Sequence, residues 1–501
     1  MPTYLASTEE HHSMGVSLVK HLLWIGAALA VAFPLAALEP GPTRSSASAS
    51  ASAPAFASAS VAASASASFS GPRLRFSDQR LANGLRVLIA EDHTAPVFSI
   101  AVVYDVGSAN ERPGRTGFAH LFEHMMFKGS ANVGSGEHFV LIYNNGGSMN
   151  GTTNKDRTNY YETLPANQLD LALFLEADRM RALDITQANL DNQRNAVQEE
   201  RRLRLDNQPY GRTGELFDQF AYEHFAYKHS TIGSMEDLNA ATVDDVAAFF
   251  KTYYAPNNAA LAIVGDVDTQ KTLARLRHHF EAIPRQPAPA AIDRLEPPQT
   301  AERRTTIDDA LARVPRVDIG YHVPPANTKD HDALDVLSTI LASGRSSRFY
   351  ESIIRQQQLA SGAGAYVIDS RGPGLFRASG TALPGKNIAD IEAAIYDEIE
   401  RVKTGTIEQW EIDKARNDAR NGFLGQLTSS LGRAVILAEN AIFWNNPNKI
   451  NTEADEIAAV TIADVQRVAK QYLIPTNRTV VITMPKAGTP ATAAQPTKGG
   501  E

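Results

Sequence analysis

The feature that most constrains this chain is a repeat. The segment TVDDVAAFFKTYYAPNNAALAIV, starting at Thr242, aligns without a gap to TIADVQRVAKQYLIPTNRTVVIT, starting at Thr461. Identical pairs at the same offset include Thr242/Thr461, Asp245/Asp464, Val246/Val465, Lys251/Lys470, Tyr253/Tyr472, Pro256/Pro475 and Asn258/Asn477. Each copy reads as a Thr-capped helix, a Pro-Asn turn and an apolar strand. One α/β unit has therefore been duplicated in tandem, and two similar domains are expected. Pro284 to Thr300, PRQPAPAAIDRLEPPQT, is rich in Pro and Ala and lies midway, as a linker would. The expected layout is a first domain over 73–285, a linker over 286–300, a second domain over 301–486 and a flexible tail over 487–501.

The first copy carries the candidate chemistry. GFAHLFEHMMFKG, Gly117 to Gly129, contains His120, Glu123 and His124 in the order H-x-x-E-H. Residues four apart on a helix share a face, so the two imidazoles can address one metal ion with Glu123 beside them. Phe118, Leu121, Phe122, Met125 and Met126 cover the remaining faces, as expected of a helix buried on most sides. The alternative is a core helix with two satisfied histidines.

A catalytic zinc needs a third protein ligand and an open fourth position. The charged helical run NLDNQRNAVQEERRLRLDN, Asn189 to Asn207, offers Glu199 and Glu200. Adjacent helix positions are about 100° apart, so one of the two should face the histidines while the other meets solvent. Spacing does not decide which.

Around these residues, strands are expected in a hairpin over Arg75 to Asp92 turned at Asn83-Gly84, and at Val97 to Val106. GGSMNGTTNKDRTNYYETLP reads as turn, strand, turn and strand, and LDLALFLEADRM as a helix. In the second copy the strand RVDIGYHV leads to the helix ALDVLSTILASG, which has no metal-ligand set. The scaffold is repeated and the site is not.

GFAHLFEHMMFKGS, GGSMNGTTNKDRTNYYETLP, AVQEERRLRLDNQPYG and YYAPNNAALAIVGDVD resemble, in order, the signature segments of the pitrilysin/insulinase family of inverted-motif zinc peptidases. The likeness runs from about Leu81 to Pro485. It implies an α+β fold, a tandem pair of two-layer domains, each a mixed and largely antiparallel sheet packed with helices, together forming half of a clamshell. It places the third ligand on Glu200 and so one Zn2+ per chain on His120, His124 and Glu200; Glu123, which lies between the ligands and is not needed as one, is expected to be the general base. It also lays the strand around Asn150 along the cleft, where an extended peptide could pair with it. The family often has a glutamate two turns before the third ligand; here that residue is Gln193.

The resemblance further implies a closed chamber of two halves, so this chain requires a partner, either a second copy or a related non-catalytic subunit. Non-catalytic halves often carry an arginine followed by a tyrosine seven residues on. Arg355 fits as a substrate contact, whereas the nearby aligned position is Ser361 and the next tyrosine is Tyr366. The expected activity is zinc-dependent cleavage of short or unfolded polypeptides, with a non-catalytic scaffold subunit as the alternative.

A net charge of -8 with mixed signs argues against a nucleic-acid partner, and the absence of cysteine excludes disulfides and thiol nucleophiles. Lys20 precedes the apolar run Leu22 to Leu38, which reads as a signal peptide within 1–38 and predicts export to the periplasm. An uncleaved membrane anchor is the other reading of that run. The almost pure Ala/Ser stretch inside 39–72 reads as a tether.

Overall fold

A computed structural model describes residues 73–486. The signal-like run, the Ala/Ser stretch and the tail over 487–501 lie outside the described residues, and so do the expectations attached to them. Among the described residues no helix is long and apolar enough to cross a membrane.

Eleven strands form two sheets. In the first half they are β1 (Ser77–Arg80), β2 (Arg86–Glu91), β3 (Val97–Tyr104), β4 (Ser148–Thr153), β5 (Thr158–Pro165) and β6 (Ala259–Gly265). In the second half they are β7 (Arg303–Asp309), β8 (Arg316–Val323), β9 (Ala360–Val367), β10 (Gly374–Ala382) and β11 (Arg478–Pro485). The sheet orders are β1-β2-β6-β3-β5-β4 and β7-β11-β8-β10-β9. Apart from β1, strand answers strand: β2 pairs parallel with β6 as β7 does with β11, and every other pairing is antiparallel. The duplication inferred from one repeated segment thus extends to whole sheets.

The repeated segments fold as expected. Thr242 caps the helix Val243–Tyr253 and Thr461 caps the helix Ile462–Tyr472, each in a reciprocal capping box with the aspartate three residues on. Each helix leads through a short Pro-initiated turn into β6 or β11.

One face of the first sheet presents Val87, Ile89, Ile100, Val102 and Ile263 to the helices of its own half. The other face is lined mainly by small residues, Ala90, Ala101, Ala260 and Ala262, and is covered by Ala434, Leu437 and Ala438 of the helix Ser430–Phe443 from the second half. The exchange is mutual, because Phe217 of the helix Thr213–Ala221 packs on Leu375 and Val481 of the second sheet. A Cβ at Gly320 would stand 2.6 Å from Phe217, so glycine there lets the aromatic ring rest on β8. Each half is a sheet with its own helix layer, and its outer face is closed by one helix from the other half.

Two boundaries differ from expectation. β3 ends at Tyr104 and not at Val106, because Asp105 N turns to Asn258 O and Val106 N to Tyr104 O. The charged helical run is α-helical only over Gln187–Arg201 and then widens to a π-helical turn over Arg202–Asp206, where Asn207 N reaches Arg202 O at 2.8 Å.

Candidate metal centre

Helix α1 (Phe118–Met125) carries the H-x-x-E-H residues. It begins at Gly117, whose φ of 85° is left-handed. Gly233, φ 76°, packs against it so closely that a Cβ on Gly233 would lie 2.5 Å from Gly117 N and Cα. The buried Glu111 carboxylate accepts from Gly117 N at 2.9 Å and from Ala119 N at 2.8 Å, which satisfies amides at the helix start. On the far side Phe122 packs against Phe250 and Tyr254, fixing the rotation of the helix.

Helices α2 (Glu137–Asn144) and α3 (Leu169–Arg181) flank the β4–β5 hairpin in sequence, and helix α4 (Gln187–Arg201) lies beside α1. Glu200 turns inward: its Oε2 is 3.3 Å from His124 Nε2 and 3.6 Å from His120 Nε2. Glu199 turns outward, 59% exposed, and pairs with Arg202. The residue that sets this choice is Arg201, which is buried, donates to Gly233 O at 2.6 Å and forms a two-pronged pair with Glu215. It ties α4 to the loop against which α1 begins. The other oxygen of Glu200 is held by Arg204 at 2.8 Å.

The three donor atoms lie within 4.8 Å of one another. Zinc–ligand bonds of about 2.0–2.2 Å in a tetrahedron set neighbouring ligand atoms about 3.3–3.6 Å apart, which is the spacing of Glu200 from both imidazoles. The site therefore fits a zinc ion with its fourth position open. Burial, followed by the nearby His124, lowers the pKa of His120 to about 4, which favours the neutral, metal-binding form. Burial would raise the pKa of Glu200, but the hydrogen bond from His124 and the charges of His120, His124 and Arg204 outweigh it and hold the carboxyl below its ordinary value. His120 Nδ1 is buried without a hydrogen-bond partner. Gln193 is buried on the same helix as Glu200, and its amide nitrogen donates to Asn192.

Glu123 sits beside the donor set. Its Oε2 accepts from Thr153 Oγ1 of β4 at 2.6 Å. Burial raises its pKa and the Thr153 bond partly offsets that rise. β4 is the free edge of the first sheet and runs next to α1; a Cβ on Gly151 would come within 3.1 Å of Glu123 Cγ. Asn150 lies on this edge strand, exposed, with its side-chain oxygen taking Gly151 N at 2.9 Å. Arg355 is not gathered with these residues: it occupies a π-helical turn, Tyr350–Gln356, in the second half and pairs with Glu351. Tyr366 is on β9, 51% exposed.

A second convergence of donors, His138, Glu162 and Glu176, is fully buried beneath the hairpin. Arg179 Nε reaches Glu176 Oε2 at 3.0 Å, and His138 Nε2 meets Glu162 Oε1 at 2.5 Å, so each of the three residues already has a protein partner. Arg201, Arg204 and this cluster were not singled out from the sequence. Only Arg204, four residues beyond Glu200, carried a spacing signal.

Comparison with known proteins agrees with this geometry. Residues 86–233 match the family described as Insulinase (Peptidase family M16), and residues 240–418 match the Peptidase M16 inactive domain. The zinc protease PqqE of Helicobacter pylori is 31% identical over 408 residues, covering 81% of this chain and 92% of that protein. The chain belongs to peptidase family M16. The M16 relatives include the mitochondrial-processing peptidase subunit beta of Lentinula edodes, 22% identical over 78% of this chain and 86% of that protein. A protease from Helicobacter pylori of known crystal structure superposes with a TM-score of 0.79 at 30% identity, covering 82% of this chain and all of that one. The periplasmic protease PqqL of Escherichia coli shares the fold, with a TM-score of 0.67 at 19% identity; 82% of this chain corresponds to 47% of it. The M16 fold is thus present here as one half of a clamshell. His120, Glu123, His124 and Glu200 all fall within the insulinase match and outside the segment matching the inactive domain.

Proposed function

We propose that this protein is a zinc-dependent endopeptidase that cleaves short or unfolded polypeptides, with one Zn2+ on His120, His124 and Glu200. The observation that carries this reading is Glu123, held by Thr153 beside a three-donor set in which Glu200 stands at tetrahedral spacing from both imidazoles. Zinc in this set supplies a polarised water and a Lewis acid for the scissile carbonyl. Glu123 is then the proton carrier: its Oε atoms accept the water's proton and later deliver it to the leaving amine. Its raised pKa suits a group that must both take and release a proton. The free edge of β4 aligns the peptide as an added strand, with Asn150 beside the scissile region.

The half-clamshell fold calls for a complementary half, a second copy or a related chain, and in the closed assembly Arg355 is assigned to the substrate. The apolar run before residue 39 supports export to the periplasm, by a cleaved signal or by an anchor. A scaffold subunit is the competing role. Incubating zinc-loaded protein and its Glu123→Gln variant with unstructured peptides separates the two. The variant should bind zinc as the parent does and lose at least about a thousand-fold in turnover, within the range of general-base contributions. Equal cleavage by both would remove Glu123 from the mechanism.

A further inference from the structure

Away from the metal centre, a cavity of about 470 Å³ opens between the two halves of the chain. It is bounded by the helix Lys329–Ala342, by an aromatic wall of Phe423, Phe443 and Trp444, and by Arg157 in the turn that joins β4 to β5. Its size lies within the roughly 300–1,000 Å³ usual for small-molecule sites.

The charge of this cavity is unbalanced. Six carboxylates line it against two arginines and one lysine. Arg157 pairs with Glu439 and Lys449 with Glu453 at 3.9 Å, both acids of the same lining, while Lys449 also reaches Glu456 at 3.2 Å and Arg371 pairs with Asp105. Asp332 and Asp335, one turn apart on the same helix, have carboxylates with no hydrogen bond or ion pair among the described residues. Burial, and after it the neighbouring acids, raise both carboxyls above their ordinary value, and Glu453 is raised to about 7, chiefly by burial.

Two further polar groups in the walls are unsatisfied. Asn440, 7% exposed, has a side-chain nitrogen without a partner. His331, also 7% exposed, stands 3.2 Å from Asp369 without hydrogen-bond geometry. Asn440 can meet a ligand's N–H group by turning its amide oxygen toward it, whereas His331 faces the Asp369 carboxylate. A bare divalent ion fits poorly, since no metal-like convergence of donors within 4.8 Å includes these acids. Carboxylates facing aromatic rings are the surroundings that favour a guanidinium or alkylammonium group.

We infer that this cavity binds an organic cation, a guanidinium or alkylammonium group, with Asp332 and Asp335 taking the charge and the Phe443–Trp444 wall covering the alkyl stem. The group comes from a free small amine or from an Arg or Lys side chain of a bound polypeptide.

The test is calorimetric titration of the full chain carrying Glu123→Gln, so that binding is read whether or not the parent cleaves peptides. Agmatine should bind with a dissociation constant below about 1 mM, and Asp332→Asn with Asp335→Asn should weaken it at least ten-fold. Removing repelling buried charges should leave the thermal midpoint equal or higher, and Glu453→Gln provides a second, milder variant that should weaken binding several-fold. An arginine-containing peptide that binds more tightly than its citrulline counterpart and competes with agmatine assigns the site to a polypeptide. Agmatine binding without that preference assigns it to a free amine. Absence of agmatine binding, or unchanged binding in the double variant, overturns the inference.

Discussion

Glu199 and Glu200 are neighbours of identical chemistry, and what separates them is the anchoring of Arg201 next to them. Once Arg201 is buried against Glu215 and Gly233 O, the helix can present only Glu200 to the imidazoles. Arg201→Met should leave the three ligands in place and free their aim, lowering zinc affinity by about 10- to 100-fold, as loss of outer-shell support does. Competition with a chelator measures it, and an unchanged affinity would show that α4 is held by other contacts. Thr153 acts on Glu123 in a different way. Its hydrogen bond favours the ionised carboxylate, so Thr153→Val should raise the Glu123 pKa beyond the rise that burial already causes. The acidic limb of the kcat/KM profile should move to higher pH while the alkaline limb stays. A fixed acidic limb would place another group in that role.

At the scale of elements, the β4–β5 hairpin depends on charge buried beneath it. Arg179 on α3 is 1% exposed; it pairs with Glu176 and lies 4.5 Å from the ring centre of Tyr160 on β5. Glu162, also on β5, is raised to about 7, chiefly by burial, and hydrogen-bonds His138 on α2, which burial lowers to about 3. A neutral pair beside one strong ion pair suits this interior. Arg179→Met would strand Glu176 without its cation and should destabilise the protein by about 3–5 kcal/mol, read by urea denaturation. Adding Glu176→Gln should recover part of that loss. A loss below about 1 kcal/mol in the single variant would mean that the cluster is not holding the hairpin.

At the scale of the whole molecule, the exchanged helices make each half incomplete alone. Without the helix Ser430–Phe443, the face of the first sheet bearing Leu88 and Val103 meets water; without Thr213–Ala221, so do Leu375 and Val481. Residues 73–285 and 301–486 produced separately should each show little cooperative unfolding, whereas co-production should restore one transition. Two independent cooperative melts would contradict the interlocked arrangement.

Local signals in the chain were sufficient for the repeat, its capped helices, the hairpin at Asn83-Gly84 and the pairing of His120 with His124, because capping, turns and helical phase act over a few residues. The same phase narrowed the third ligand to Glu199 or Glu200 and stopped there, and only the likeness to a known family pointed to Glu200. The azimuth of α4, the grip of Thr153 on Glu123, the buried Arg179 cluster, the acidic cavity and the exchange of helices each depend on residues far apart in sequence. No local pattern encodes which distant surface a side chain will meet, so these features were settled only when the two sheets packed.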